Sequence, residues 1–363
     1  MGKLLISKKF IRKNKQLKKI QKDYLKANKK IKLKYPKVKL GKVLENYDER
    51  FIDCSTKDDK EISFDINKYS SAQILDKISS KDIRGLSGSG FPEINKIKSV
   101  LESNANEKYL IVNAVACDPG LLHDSYILKN LINEVKEGIK VLQKCINFNN
   151  VIIASKENVP SKYPMGAEKI LIKYLLGIDI DKDEVPADKG ILVMNIQTVY
   201  SIYEAFYKEK SNKTRYITVG NLNNGMGEVA KVEIGQTIGE ILSKTNISYE
   251  GPEKIYIGMG AMESHDASLN TKISLEDNFI AFGDAAIFND DEKCKGCGGC
   301  TRKCPMGVDV HEIIKAIDSG NTEDLKRYNI DNCIMCGTCS YFCRASKNTM
   351  KIIQSLRGNS NEK

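Results

Sequence analysis

The sequence predicts an α/β protein in three successive units: a parallel-sheet unit, a small mixed-β unit and a cysteine-rich helical tail. Three observations carry this reading. Apolar strand-like runs alternate with helix-like runs between Tyr109 and Asn195, which implies a parallel sheet with crossover helices. From Arg215 onward the apolar runs are short and β-like. Finally, eight of the eleven cysteines lie between Cys294 and Cys343.

Residues 1–44 form a basic arm with 17 Lys or Arg and one acid, Asp23. The arm carries +16 and the whole chain +10, so the remainder sums to −6 and the basic balance describes the arm alone. Interleaved Leu, Ile and Tyr allow an amphipathic helix ending before Pro36. The arm therefore reads as a solvated extension, or as a docking segment for an acidic protein or an anionic membrane surface. Nucleic acid is excluded as a partner, because no base-reading module follows and an acidic body repels phosphate. The first ten residues lack a signal-peptide core, and no apolar run approaches the ~18 residues of a membrane span. The expectation is a cytoplasmic protein.

The α/β unit is assigned to residues 45–212. Its elements are a helix from Ser71 to Ile78, a glycine-rich loop from Gly85 to Pro92, strands at 109–116, 151–155 and 191–195, and intervening helices. Residues 213–285 form the mixed-β unit, with runs RYITVG, VAKVEIG and KIYIGMG around the short helix TIGEILSKT. Residues 286–363 form the tail, where Asp309 and Glu312 predict a capping box for a helix ending near Gly320.

Cys294, Cys297, Cys300 and Cys304, and again Cys333, Cys336, Cys339 and Cys343, have the spacing C-x2-C-x2-C-x3-C. Three closely spaced thiolates wrap one 4Fe-4S cubane while the fourth points away to the other. The expected ligation is crossed: Cys343 joins the first three cysteines, and Cys304 joins Cys333, Cys336 and Cys339. A pair of zinc sites is the competing reading, but zinc takes two Cys pairs, whereas here a tight four-cysteine run is duplicated. Arg344 follows the second run where many ferredoxins have proline, and a cation beside a cluster favours its reduced form. All eight cluster positions being filled, His123, His265 and His311 are read as surface or capping residues. Cys54 and Cys145 read as plain thiols.

The loop GLSGSGFPEINK, Gly85 to Lys96, offers backbone amides and a cation to a flat or anionic cofactor, but alone it is compatible with a simple turn. Taken in order with LIVNAVACDPG, KYPMGAEKILI, ILVMNIQTVYSIYEA and the two cysteine runs, it resembles the RnfC family of the Rnf electron-transport complex. The wider group includes cobalamin-reductase and proline-reductase-associated electron carriers, and it is similar to the NADH-binding flavoprotein subunit of respiratory complex I. The resemblance covers roughly residues 80–355. It implies a Rossmann-like FMN/NADH domain, a β-grasp domain of the soluble-ligand-binding type and an α-helical dicluster ferredoxin domain. It places Gly85, Gly88, Gly90, Phe91, Lys96, Asn113, Gly166, Glu168 and Asn195 around the flavin and nucleotide.

Two function classes follow. One is an oxidoreductase in which NADH reduces FMN, and FMN passes single electrons through two 4Fe-4S clusters to a redox partner, either a membrane Rnf-type complex or a soluble reductase. The other is a flavin-less iron-sulfur carrier or docking subunit. Departures from the family bear on the choice: Ser87 and Ser89 stand in the loop, and Ala116 stands where the family has an acid before Cys117. The resemblance adds a peripheral position at the inner face of the membrane to the cytoplasmic expectation.

Overall fold

The computed structural model describes residues 3–5, 46–55, 62–88, 90–115, 118, 120–160, 163–181, 183–251, 253–284, 293–323 and 325–358. Nearly all of the basic arm, and Ser89, Ala116 and Cys117 among the positions discussed above, lie outside these residues. The elements in chain order begin with strands β1 (Lys3–Leu5) and β2 (Asn46–Asp53) and helices α1 (Ser71–Ser80) and α2 (Glu93–Glu102). Strand β3 (Tyr109–Asn113), α3 (His123–Asn130), α4 (Ile132–Cys145), β4 (Asn150–Ala154), α5 (Glu168–Leu176), β5 (Ile191–Asn195) and α6 (Ile196–Tyr207) follow. The mixed-β region holds β6 (Thr214–Asn221), β7 (Met226–Glu233), α7 (Ile238–Leu242), β8 (Ile255–Gly260), β9 (Glu263–Ala267) and β10 (Phe279–Phe282). The tail holds α8 (Gly299–Lys303), α9 (Val310–Asp318), α10 (Thr338–Tyr341) and α11 (Thr349–Gly358).

The first sheet is parallel, in the order β1-β4-β3-β5. Its strands alternate sides, as a period of two requires. Leu110, Val112, Val151, Ile153, Leu192 and Met194 join the core formed with α1, α4 and α6, while Ile111, Ile152, Ile191 and Val193 pack against α5. The second sheet runs β2-β7-β6-β10-β8-β9. Within it, the antiparallel β6–β7 hairpin, the helix α7 and the parallel pairing of β10 with β6 give the β-grasp arrangement. One face of this sheet is covered by α7 through Ile238, Ile241 and Leu242, and the other gives Tyr216, Val229, Phe279 and Ala281 to the core of the first unit. The two units thus share one apolar core.

Four expectations are corrected here. Residues 46–53, counted with the α/β unit in the sequence, pair in parallel with β7 of the second sheet, where Phe51 stacks on Tyr126 at 4.9 Å. Backbone pairing to a strand some 180 residues away leaves no local signal. Residues 3–5 of the arm pair with β4 and extend the first sheet, rather than standing outside the fold. In the tail, α9 starts and ends as expected, but Asp309 makes no side-chain cap, and Glu312 pairs with Lys315 at 3.0 Å instead. His123 is also buried rather than superficial, its Nδ1 3.1 Å from the Thr218 hydroxyl. No helix among the described residues is long and apolar enough to cross a membrane.

Helices α4 and α6 cross at Gly138, where an added Cβ atom would lie 2.3 Å from the Val199 carbonyl oxygen. Backbone cannot yield there as a side chain can. Gly138→Ala is therefore expected to lower the unfolding free energy by about 1–3 kcal/mol, measured by urea titration of the purified protein. A substitution without effect would show that the crossing is looser than described.

Candidate functional site

Strands β3 and β5 end level with each other, Asn113 opposite Asn195, at the carboxyl edge of the parallel sheet. The chain leaves β3 for β4 on one side and later reaches β5 on the other, so these strand ends form a switch point, where such sheets usually hold a ligand in a crevice. The Asn113 amide donates to the Gly166 carbonyl at 2.9 Å, and its oxygen accepts from the Val115 N–H at 3.0 Å. It thereby fixes the loop before α5 against the end of β3. Asn195 caps α6 by accepting from the Gln197 N–H at 2.8 Å, and its amide donates to both Asp124 carboxylate oxygens at 3.2 Å.

The glycine loop borders this crevice. Gly90 N–H donates to the Gly85 carbonyl at 3.1 Å, Gly85 N–H donates to the Phe91 carbonyl at 2.8 Å, and Leu86 N–H donates to the Thr198 hydroxyl at 2.9 Å. Gly88 has φ +104° and backs onto β8, where an added Cβ would lie 2.2 Å from the Met259 sulfur. Backbone conformation and packing together demand glycine at that position. Ser87, one of the departures from the family in this loop, is exposed. Phe91 is 43% exposed and presents its ring at the end of the loop.

The loop runs into α2, whose first turns carry Glu93 and Lys96. The Lys96 ammonium lies 3.8 Å from Glu168 at the start of α5 and 4.0 Å from Glu93, so it joins the two walls of the crevice. Glu93 is 2% exposed, and its Oε2 is buried without a hydrogen-bond partner. Burial pushes its pKa up to about 7, with Lys96 opposing the shift and Glu168 adding to it. Sequence reading missed Glu93. Its signal was present, because Glu93 shares the buried face of α2 with Ile97 and Val100.

Arg215 of β6 locks the loop from below. Its buried guanidinium donates to the carbonyls of Leu86 at 3.1 Å and Leu275, and to the Asn278 side chain. Burial pulls its pKa down to about 10, opposed by Asp277 and Asp124, so it stays charged at neutral pH. The same burial, with the Arg215 charge, pushes His123 down to about 3 and keeps it neutral.

The cysteines group across the two runs. One cavity is lined by Cys294, Cys297, Cys300 and Cys343, and a second by Cys304, Cys333, Cys336 and Cys339. They enclose ≈ 360 and ≈ 340 Å³ of atom-free space respectively, part of it open to solvent. The thiols sense each other in the same grouping. Burial first, then Cys294 and Cys343, raise Cys300, while burial, then Cys336 and Cys333, raise Cys304. Cys297 is held below the usual thiol range by the Gly299 N–H, then by the backbone and charge of Arg344. Gly296, Gly298 and Gly337 take positive φ values in the ligand loops. No group of three or more His, Cys, Asp or Glu among the described residues is arranged to hold a single metal ion. Four cysteines gathered around one cavity are stable together as thiolates around a cationic core, and an iron-sulfur cluster supplies one. Cys54 and Cys145 stand apart, their thiols pushed up to about 11 and about 12 mainly by burial. His265 is exposed, whereas the Nε2 of His311 is buried without a partner and the residue lines the first cavity, so it is not a surface or capping residue.

Comparison with known proteins matches these two regions separately. Residues 78–161 match the Nuo51 FMN-binding domain family and residues 286–344 match a 4Fe-4S dicluster domain family, so the chain carries an FMN-type domain and a two-cluster domain. It is 26% identical over 304 residues to the C subunit of the ion-translocating oxidoreductase complex of Buchnera aphidicola subsp. Acyrthosiphon pisum, covering 77% of this chain and 64% of that protein. Against the corresponding C subunit of Haemophilus influenzae (strain ATCC 51907 / DSM 11121 / KW20 / Rd) it is 27% identical over 67% of this chain and 32% of the relative. The chain thus spans less than two thirds of the length of these curated relatives. A solved NAD+-reducing [NiFe]-hydrogenase in the air-oxidized state shares the fold, with TM-score 0.54 and 15% identity over 79% of this chain and 62% of that one. The motif resemblance to the RnfC family and to the complex I flavoprotein is met by these matches. The glycine loop, the exposed Phe91 ring and the partnerless buried Glu93 oxygen offer a flavin a close backbone, a ring face and a hydrogen-bond partner, and the donor sets suit two clusters.

Two outcomes follow from this geometry. Glu93 has a folded pKa of about 7 against an ordinary 4.5, so the stability it gives is full below pH 4.5 and is lost as pH rises through 7. Urea unfolding of the cofactor-free protein at pH 5 and 8 should show a loss that Glu93→Gln reduces by on the order of 2–3 kcal/mol; equal slopes in both proteins would refute the buried-acid assignment. Arg215→Met leaves Asp124, Asp277 and the Leu86 carbonyl without their cation and should cost about 3–5 kcal/mol at pH 7, read from the shift of the denaturation midpoint.

Proposed function

We propose that the chain is an electron-transfer protein that takes electrons from NADH through FMN held in the crevice and passes them through two 4Fe-4S clusters to a redox protein partner. The observation that carries this reading is the grouping of eight cysteines into two cavities that each draw on both runs, in a chain whose parallel sheet ends in a glycine-loop crevice. FMN supplies the conversion of a two-electron hydride into single electrons. The residues do the rest. Loop amides around Gly85, Gly88 and Gly90 approach the cofactor, Phe91 gives a ring face for a nicotinamide or adenine, and Asn113, Gly166, Glu168 and Asn195 hold the floor of the crevice. Lys96 balances the charge of Glu168, and Glu93, its pKa pushed up to about 7 by burial, is a hydrogen-bond donor in the crevice when it is protonated. The iron ligands are Cys294, Cys297, Cys300 and Cys343 for one cluster and Cys304, Cys333, Cys336 and Cys339 for the other. Partners of the class named for the relatives, an ion-translocating oxidoreductase complex, fit this role.

One observation favours the flavin-less carrier. Lys96 already faces two carboxylates, so a flavin phosphate must compete with Glu93 and Glu168 for it. Anaerobically purified protein should carry about eight irons and eight sulfides, and NADH with added FMN should bleach the cluster absorbance. Lys96→Ala should weaken FMN binding roughly tenfold or more. If saturating FMN gives neither binding nor NADH-dependent bleaching while dithionite still reduces the clusters, the chain is a carrier.

A further inference from the structure

The two cysteine cavities differ in what anchors them and in what lines them. The cavity of Cys304, Cys333, Cys336 and Cys339 is tied to the body of the protein at three points. The Tyr163 hydroxyl donates to the Cys336 carbonyl at 2.6 Å, from the loop that leads to Gly166 at the crevice. Met306 and Ile334 pack into the core between α5 and the parallel sheet. Gly337 fits against the Met262 carbonyl, where an added Cβ would come within 2.8 Å, and the Met262 N–H in turn reaches Asp118 at 3.4 Å. This inner cavity is walled by apolar groups, including Val308, Val310, Met350 and Ile353. The run from Cys333 to Cys343 contains no charged residue.

The other cavity, of Cys294, Cys297, Cys300 and Cys343, exposes a mainly apolar wall as well, but it has cations in its lining and around it. Lys295, His311 and the buried Lys347 line it, and the Lys347 N–H lies 3.4 Å from the Cys343 sulfur. Arg302 and Arg344 stand exposed beside it, and the segment 293–304 holds four cations and no acid. Although Arg344 follows the second cysteine run in sequence, the fold gives its charge to the first cavity, because Cys343 crosses to that side.

Reducing a cluster adds one negative charge. An apolar wall disfavours that charge, and nearby cations favour it, so burial and local charge are the protein's levers on potential. Resting on the electron-transfer reading above, we propose that the two centres form a directed relay: the inner centre of Cys304, Cys333, Cys336 and Cys339 is the low-potential entry beside the crevice, and the outer centre of Cys294, Cys297, Cys300 and Cys343 is the higher-potential exit, set by Lys347 and Arg344. In the transfer one electron leaves the reduced inner centre and one arrives at the oxidised outer centre. No bond forms or breaks and no proton moves.

The test is an EPR-monitored redox titration of the full chain with dithionite and mediators, without FMN or NADH, so that it stands or falls separately from the NADH reading. Two reduction steps are expected. Lys347→Met should move only the higher-potential step downward, by several-fold to tenfold in the reduction equilibrium, where tenfold is about 59 mV for one electron. Because Lys347 is buried and its loss carries a folding risk, Arg344→Ala, at an exposed position, should move the same step in the same direction. Cys297→Ser should disturb the higher step and Cys336→Ser the lower. Reduction of both centres at one potential, a shift confined to the lower step, no shift with Arg344→Ala, or the reverse pattern in the cysteine variants overturns the relay.

Discussion

The guanidinium of Arg215 is the tie on which the arrangement depends. Burying a cation costs several kcal/mol, and that cost is offset only if its donors are met. Here its two terminal nitrogens are met by groups from two separate stretches of chain, the carbonyl of Leu86 in the glycine loop, and the carbonyl of Leu275 with the side chain of Asn278 in the turn before β10, while its Nε is buried without a partner. The loop that borders the crevice is therefore shaped by the β-grasp sheet and not only by its own glycines. Gly88 against Met259 repeats the same dependence through packing.

This tie explains why the two sheets share a core. Tyr216, Val229, Phe279 and Ala281 turn one face of the second sheet towards α3 and α6, while Arg215, the residue before Tyr216, carries the charge that locks the loop. Buried acids gather around it. Asp124 is raised to about 6 by burial, against the Asn195 hydrogen bond and the Arg215 charge, and Asn195 both caps α6 and holds Asp124. An asparagine at the end of a strand thus works as a strut of the crevice, whatever it also offers to a ligand.

The tail attaches by a different logic. Its own core is small and includes the cysteines themselves, with Val308, Ile313, Ile314 and Ile353 around them. A unit of this kind depends on metal for much of its folding energy. Among the described residues its contacts with the body include those through Tyr163, Met262, Met306 and Ile334, and these fall on one of its two cysteine cavities. Asymmetric docking of a nearly symmetric duplication is what gives the two centres different surroundings.

The elements and chemistry that rest on local spacing are legible along the chain. Alternating runs located β3, β4, β5 and the crossover helices, because strand and helix periods are visible within ten residues. The cysteine spacing located the eight thiols and their crossed grouping, because a four-residue loop has few ways to wrap a cluster. Other features exist only once the chain has folded. The pairing of β2 with β7, the burial of His123 against Thr218, and the assignment of Arg344 to the cavity of the first cysteine run all join residues far apart in the chain. Burial and charge environment are sums over neighbours in space, and no window along the chain contains those neighbours.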